Sequence, residues 1–149
     1  TTGTKRRILA LSGAKSNNTI TKLQLQHLHL IDEHTQNNDI YYLHGPIEVE
    51  LNEDDDDDIT NTNFVHGPFY SWFPKFNDVA TATATATTTE EDEENSSREK
   101  DKNEVLNESI VKAVHYVLQT IHTKGPFDGI YGFSQGAFIA SLVAGISTD

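Results

Sequence analysis

The chain has no cysteine and no methionine, a single tryptophan, and only four prolines. Each absence excludes something. Without cysteine there is neither a disulfide framework nor a thiolate metal site, which fits a reducing compartment. A membrane-spanning helix needs about 20 consecutive apolar residues, and the longest apolar runs here fall far short. Lys5-Arg6-Arg7 precedes only "ILAL", too little for the apolar region of a signal peptide. A soluble, cytoplasmic protein without a membrane span is expected. Methionine is missing even at residue 1, so Thr1 is not expected to be the natural start, and the chain reads as incomplete.

Basic charge is also scarce. Eleven Lys and Arg face 23 Asp and Glu, a formal net charge of −12. The excess is local. Six acids run from Glu53 to Asp58 and five from Glu90 to Glu94; without these eleven, twelve acids face eleven bases. The body is close to neutral, and nothing supplies the basic surface that phosphate binding requires, so nucleic acid is not an expected partner.

What is present alternates between strand and helix signals. "RRILALS" (6–12) reads as a buried strand closing at Ser12-Gly13, and "DIYYLHG" (39–45) as a second strand closed by Gly45-Pro46. Residues 17–34 carry Ile20, Leu23, Leu28 and Ile31 along one side behind Asn17 or Asn18. That spacing favours a helix, although "KLQLQ" also alternates like a strand. In 104–122, Leu106, Ile110, Ala113, Val114, Val117 and Ile121 form one apolar stripe, a helix ended by Gly125-Pro126. "FDGIYGF" then reads as a strand and "QGAFIASLVAGIS" as a helix. The alternation predicts an α/β fold with a parallel sheet flanked by helices. Two segments, 53–63 and 78–103, are too polar and too charged to bury a core and are expected to be disordered inserts. Between them lies an aromatic stretch, 64–77, holding Phe64, Phe69, Tyr70, Trp72, Phe73 and Phe76 and expected to be an irregular, packed segment. It either lines an acyl pocket, with Trp72 and Phe73 as its wall, or packs over the sheet as plain core.

Gly132-Phe133-Ser134-Gln135-Gly136 matches G-x-S-x-G. A serine on a sharp strand-to-helix elbow takes a strained backbone, so the positions two before and two after it must be small. The bare pattern arises by chance in roughly one chain in thirty of this length, so its context decides. Here it lies between an apolar strand and an apolar helix, which the elbow requires. The alternative is a serine capping an ordinary helix in a βα loop.

The stretch "GPFDGIYGFSQGAFIASLVAG" (125–145) resembles the signature "GPFDGILGFSQGA" of the family of serine hydrolases (FSH) domain, an α/β-hydrolase group. "KRRILALSG" resembles that family's "K-x-R-I-L-x-L-H-G" opening, and "IYYLHGPIEVE" its "F-x-x-x-D-A-P-H-x-V" strand and loop. "YSWF" resembles its tryptophan-containing segment. The resemblance covers nearly the whole chain outside the two inserts. It implies the N-terminal portion of one such domain across 1–149, a partial α/β-hydrolase lacking the C-terminal strands. It implies a serine hydrolase acting on small-molecule carboxylic esters through an acyl-enzyme, with no cofactor. By position it makes Ser134 the nucleophile, with the N–H groups of Gln135 and Ala14 forming the oxyanion hole and Gly132 and Gly136 shaping the elbow. Two positions depart from it: Ser12 replaces the usual histidine and Ala14 a bulky aromatic.

A serine hydroxyl needs a histidine base oriented by an acid, and in α/β-hydrolases these follow the serine in the chain. All seven histidines here (27, 29, 34, 44, 66, 115, 122) precede Ser134, and only Asp149 follows it among the acids. His44 lies at the carboxyl end of a strand, where such sites assemble, but reads more simply as a loop residue at Gly45-Pro46. No histidine pair forms a zinc motif, so no metal is expected. The 149 residues alone are therefore expected to be inert. An exposed flank on the strand before Ser134, beside an apolar helix, predicts poor solubility for this piece. Two other readings stay open. One is an acyl-thioesterase, which shares a similar elbow. The other is a non-catalytic short protein with a vestigial elbow and acidic interaction loops.

Overall fold

The structure, a computed structural model, describes residues 4–31, 38–51, 66–75 and 93–146, with backbone alone for 93–98. The expected insert 53–63 and residues 78–92 of the other lie outside the described residues.

Three parallel strands form the sheet: β1 (Arg6–Leu11), β2 (Asn38–Leu43) and β5 (Gly129–Gly132), in the order β2-β1-β5. β1 is central because it is the most apolar strand and is covered on both sides, with Leu9, Ala10 and Leu11 fully buried. Its partners are in register, Leu11 lying opposite both Leu43 and Gly132. From β1 the chain runs through helix α1 (Asn18–His27) to β2 on one side, and only later returns to β5 on the other. That reversal puts a topological switch point at the carboxyl ends of β1 and β5, where ligands of open α/β sheets bind.

Helix α2 (Glu93–Lys124) and helix α3 (Gln135–Ile146) pack against one another, and α3 also packs on β5 and β1. Leu9, Leu11 and Leu43 meet Ala113, Val114, Val117, Ile139, Ala140 and Val143 in one core. Thus the stripe foreseen in 104–122 is the buried face of α2, although Leu106 at its upstream end is only half-buried. Two short strands, β3 (Ile47–Val49) and β4 (Phe69–Ser71), pair antiparallel with Ile47 opposite Ser71. β4 also bridges to the turn after β1: Ser16 N–H donates to Tyr70 O at 3.0 Å, and Tyr70 N–H to Ser16 O at 2.7 Å.

Three expectations need correction. The segment 78–103 is not wholly loop, because α2 begins at Glu93. Charged residues are compatible with a solvated helical extension of the apolar stripe behind them. Helix α1 stops at His27 instead of running to 34. His29 takes φ 54°, and Leu28 and His29 donate to Gln24 and Gln26 carbonyls, closing the helix as left-handed termini do. The aromatic stretch is not entirely irregular, since it contributes β4.

Among the described strands, β5 pairs on one side only, with β1. Phe133, Phe138 and Ile146 are exposed beside it.

Candidate active site

Ser134 stands between the end of β5 and the start of α3, and it is exposed. Its φ is 52°, in the left-handed region that L-residues other than glycine rarely adopt. A helix-capping serine instead has an extended backbone; Asn17, which caps α1, has φ −146°. The geometry at Ser134 is that of a strained elbow, not of a cap.

The flanking glycines show what makes the turn so tight. A Cβ on Gly132 would lie 2.5 Å from Gly136 O and 2.6 Å from Ala137 Cα. One on Gly136 would lie 2.2 Å from Ser12 O and 2.7 Å from Leu11 O. Strand, turn and helix therefore pass one another with room for hydrogen only. Ser134 O accepts from Phe138 N–H at 3.1 Å, so the serine's own carbonyl begins α3. As the first residue of α3, Gln135 has no acceptor for its N–H within the helix.

The turn after β1 closes the other side. A Cβ on Gly13 would lie 3.1 Å from Phe133 Cδ1 and 3.7 Å from Ser134 Cβ, so the segment carrying Gly13 and Ala14 abuts the elbow. Ser12 is fully buried. Its carbonyl accepts from Trp72 Nε1 at 2.7 Å, and its Oγ is buried without a hydrogen-bond partner.

The aromatic wall divides. Trp72 has no exposed surface and packs in the core. Phe73 is only half-buried and meets Phe138 edge to face, with ring centroids 5.7 Å apart. Phe138 and Phe133 are each nearly half exposed, the first one helical turn after Ser134 and the second next to it.

One element was missed from the sequence. The Gln135 side chain accepts at Oε1 from Trp72 N–H (3.0 Å) and Phe73 N–H (3.5 Å), and donates from Nε2 to Phe73 O (3.1 Å). A glutamine inside the elbow motif was the available signal, but its partners are more than sixty residues away.

No histidine hydrogen-bonds Ser134 among the described residues. His44 stacks on Tyr70 at 3.7 Å, with Nδ1 2.8 Å from Gly45 O, and so serves its own loop. Tyr42 and Tyr131 both lie opposite Ala10 on β1, and burial raises each phenol above its ordinary pKa. Among the described residues, no cluster of His, Asp and Glu could hold a metal ion, and no helix is long and apolar enough to cross a membrane.

The structure thus has a parallel sheet flanked by helices, with an exposed, left-handed serine at its switch point. The family model described as Serine hydrolase (FSH1) matches residues 1–148, and the chain belongs to that family. It is 31% identical over 147 residues to Hydrolase phiM of Talaromyces stipitatus, an alignment covering 96% of this chain and 46% of the relative. The chain thus spans about half the length of that curated relative. No solved structure matches.

Proposed function

We propose that the protein is a cytoplasmic carboxylic-ester hydrolase working through an acyl-enzyme on Ser134. The observation that carries this reading is the left-handed φ of an exposed serine at a strand-to-helix turn too tight for any side chain at Gly132 or Gly136. A strained, solvent-facing hydroxyl contributes nothing to packing; presenting a nucleophile accounts for it.

In acylation, Ser134 Oγ bonds to the ester carbonyl carbon while its proton passes to a histidine base. The carbonyl oxygen becomes an oxyanion, held by the N–H groups of Gln135 and Ala14. Collapse breaks the bond to the alkoxy oxygen, which leaves as the alcohol with the base's proton. Water then attacks the acyl-serine by the same route, releasing the acid and restoring Oγ–H. An oxyanion donor of this kind contributes about 3–4 kcal/mol to the transition state. On this reading the base and its acid come from outside these 149 residues, in keeping with a relative about twice as long, and the chain alone is inert.

The test is phosphonylation of the full-length protein by a fluorophosphonate, beside a panel of oxygen esters and thioesters. Labelling that disappears in Ser134→Ala, with turnover of oxygen esters, is the expected result. Equal labelling of both proteins overturns the nucleophile, and turnover of thioesters alone moves the assignment to a thioesterase.

A further inference from the structure

Gln135 enters the site twice. Its main-chain N–H is the oxyanion donor proposed above, while its side-chain amide both accepts from and donates to the 72–73 backbone. β4 ends at Ser71, so this backbone has left its ladder. The amide supplies the two-way pairing that a neighbouring strand would otherwise give. It is not needed to keep the segment folded, because Trp72 is already fixed by complete burial and by its indole bond to Ser12 O. What it adds is the orientation of the next residue. Phe73 has both its N–H and its C=O on Gln135, and its half-buried ring meets Phe138. Phe138 in turn hydrogen-bonds Ser134 O, one helical turn from the hydroxyl.

We propose that Gln135 is a positioning and specificity-determining residue: its side-chain amide holds Phe73 against Phe138, and this aromatic pair sets how long an acyl chain fits beside Ser134. The inference rests on the ester-hydrolase reading and adds to it the residue that controls acyl selectivity.

The test compares the rates at which a short-alkyl and a long-alkyl fluorophosphonate label the full-length protein. In each reaction Ser134 Oγ bonds to phosphorus, the P–F bond breaks, fluoride leaves, and the hydroxyl proton passes to the base. Taking the ratio of the two rates cancels effects on the base and on the oxyanion hole. In Gln135→Met the long-over-short ratio falls about tenfold, equivalent to losing contact with about two methylenes. In Gln135→Glu the ratio is low while the carboxylate is ionised, because it repels Phe73 O. It recovers toward wild type as pH falls and the carboxylate is protonated, because the neutral acid donates to Phe73 O. The wild-type ratio stays level over the same range. Should Gln135→Met lose its fold, seen as loss of a cooperative thermal unfolding transition, Gln135→Glu carries the test alone. Ser134-dependent labelling with an unchanged ratio in Gln135→Met, or a pH-independent ratio in Gln135→Glu, overturns the role of Gln135 and leaves the nucleophile standing. Labelling that survives Ser134→Ala overturns the hydrolase reading itself.

Discussion

Two turns leave the carboxyl edge of the same sheet, each joining a buried strand to a helix, and they are built to opposite ends. The turn after β1 spends six residues, Ser12 to Asn17, and is pinned to β4 and the residues just before it. Asn17 Oδ1 accepts from Ile20 N–H at 3.0 Å, while its Nδ2 donates to His66 O and Pro68 O. Lys15 takes φ 49° there, with its N–H on Ser71 Oγ. The turn after β5 spends two residues, Phe133 and Ser134, leaves its serine exposed, and starts α3 without a side-chain cap. Left-handed backbone alone therefore does not mark a site, since Lys15 shares it. What separates the turns is where the helix N–H groups go. In one turn the Asn17 side chain accepts from Ile20 N–H; in the other the Phe133 carbonyl accepts from Gly136 N–H and the serine stays exposed.

The comparison breaks most sharply at Ser134. Ser134→Ala in the full-length protein should cut ester turnover on the order of a millionfold, measured as initial rate. A loss under about a hundredfold would mean that another group carries the chemistry. Gly136→Ala comes next. Its methyl would meet Leu11 O, at the end of the central strand, and Ser12 O, in the turn after it, backbone atoms that cannot step aside, so α3 must move. A stability loss of about 3 kcal/mol is expected by denaturant titration, with loss of labelling. Wild-type stability would show that the two turns do not touch as closely as the glycine implies.

A smaller pair of effects should differ in sign. Asn17→Ala removes a cap and should cost about 1–2 kcal/mol while leaving Ser134 reactive. Ser134→Gly relieves a left-handed L-residue and should gain about 1 kcal/mol while abolishing labelling. Thermal melts of both variants check this. A destabilised Ser134→Gly would place that serine with the caps and dissolve the contrast.

The two turns were not equally legible in the sequence. The tight one announces itself because its constraint is local: glycines two residues either side of a serine, between apolar runs, allow few other folds. The buried face of α2 was legible for the same reason, its spacing being a property of one helix. The wide turn was obscure because its partners, Tyr70, Ser71 and Pro68, are fifty residues away, and three residues of β4 are too few for alternation to show. Trp72 and Phe73 are neighbours with the same composition signal. Complete burial and the indole bond to Ser12 O set Trp72 apart from the half-buried Phe73, and both depend on residues sixty positions upstream. Helix α1 was read too long because Leu28 and Ile31 continue an apolar spacing that His29 interrupts by backbone conformation alone. Residues 93–103 were read as loop because net charge was weighed and the helix behind them was not.

The smallest effect belongs to the far edge of the sheet, and it tests whether the contrast is confined to the carboxyl end. Arg7 Nε lies 3.3 Å from Asp39 Oδ2, and both side chains are well exposed. Arg7 does not depend on that pair. Its Nη1 donates to Lys124 O at 2.9 Å and Pro126 O at 3.1 Å, its N–H donates to Asp128 Oδ2, and its guanidinium lies 5.0 Å from the centre of the Phe127 ring. These contacts tie the end of α2 to β1 whatever stands at position 39. Asp39→Asn should therefore cost less than about 0.5 kcal/mol, a difference that added salt erases, with Ser134 labelling unaltered. A loss above about 1 kcal/mol, or any change in labelling, would mean that the amino edge of β1 and β2 is held by charge and is coupled along the strand to the elbow.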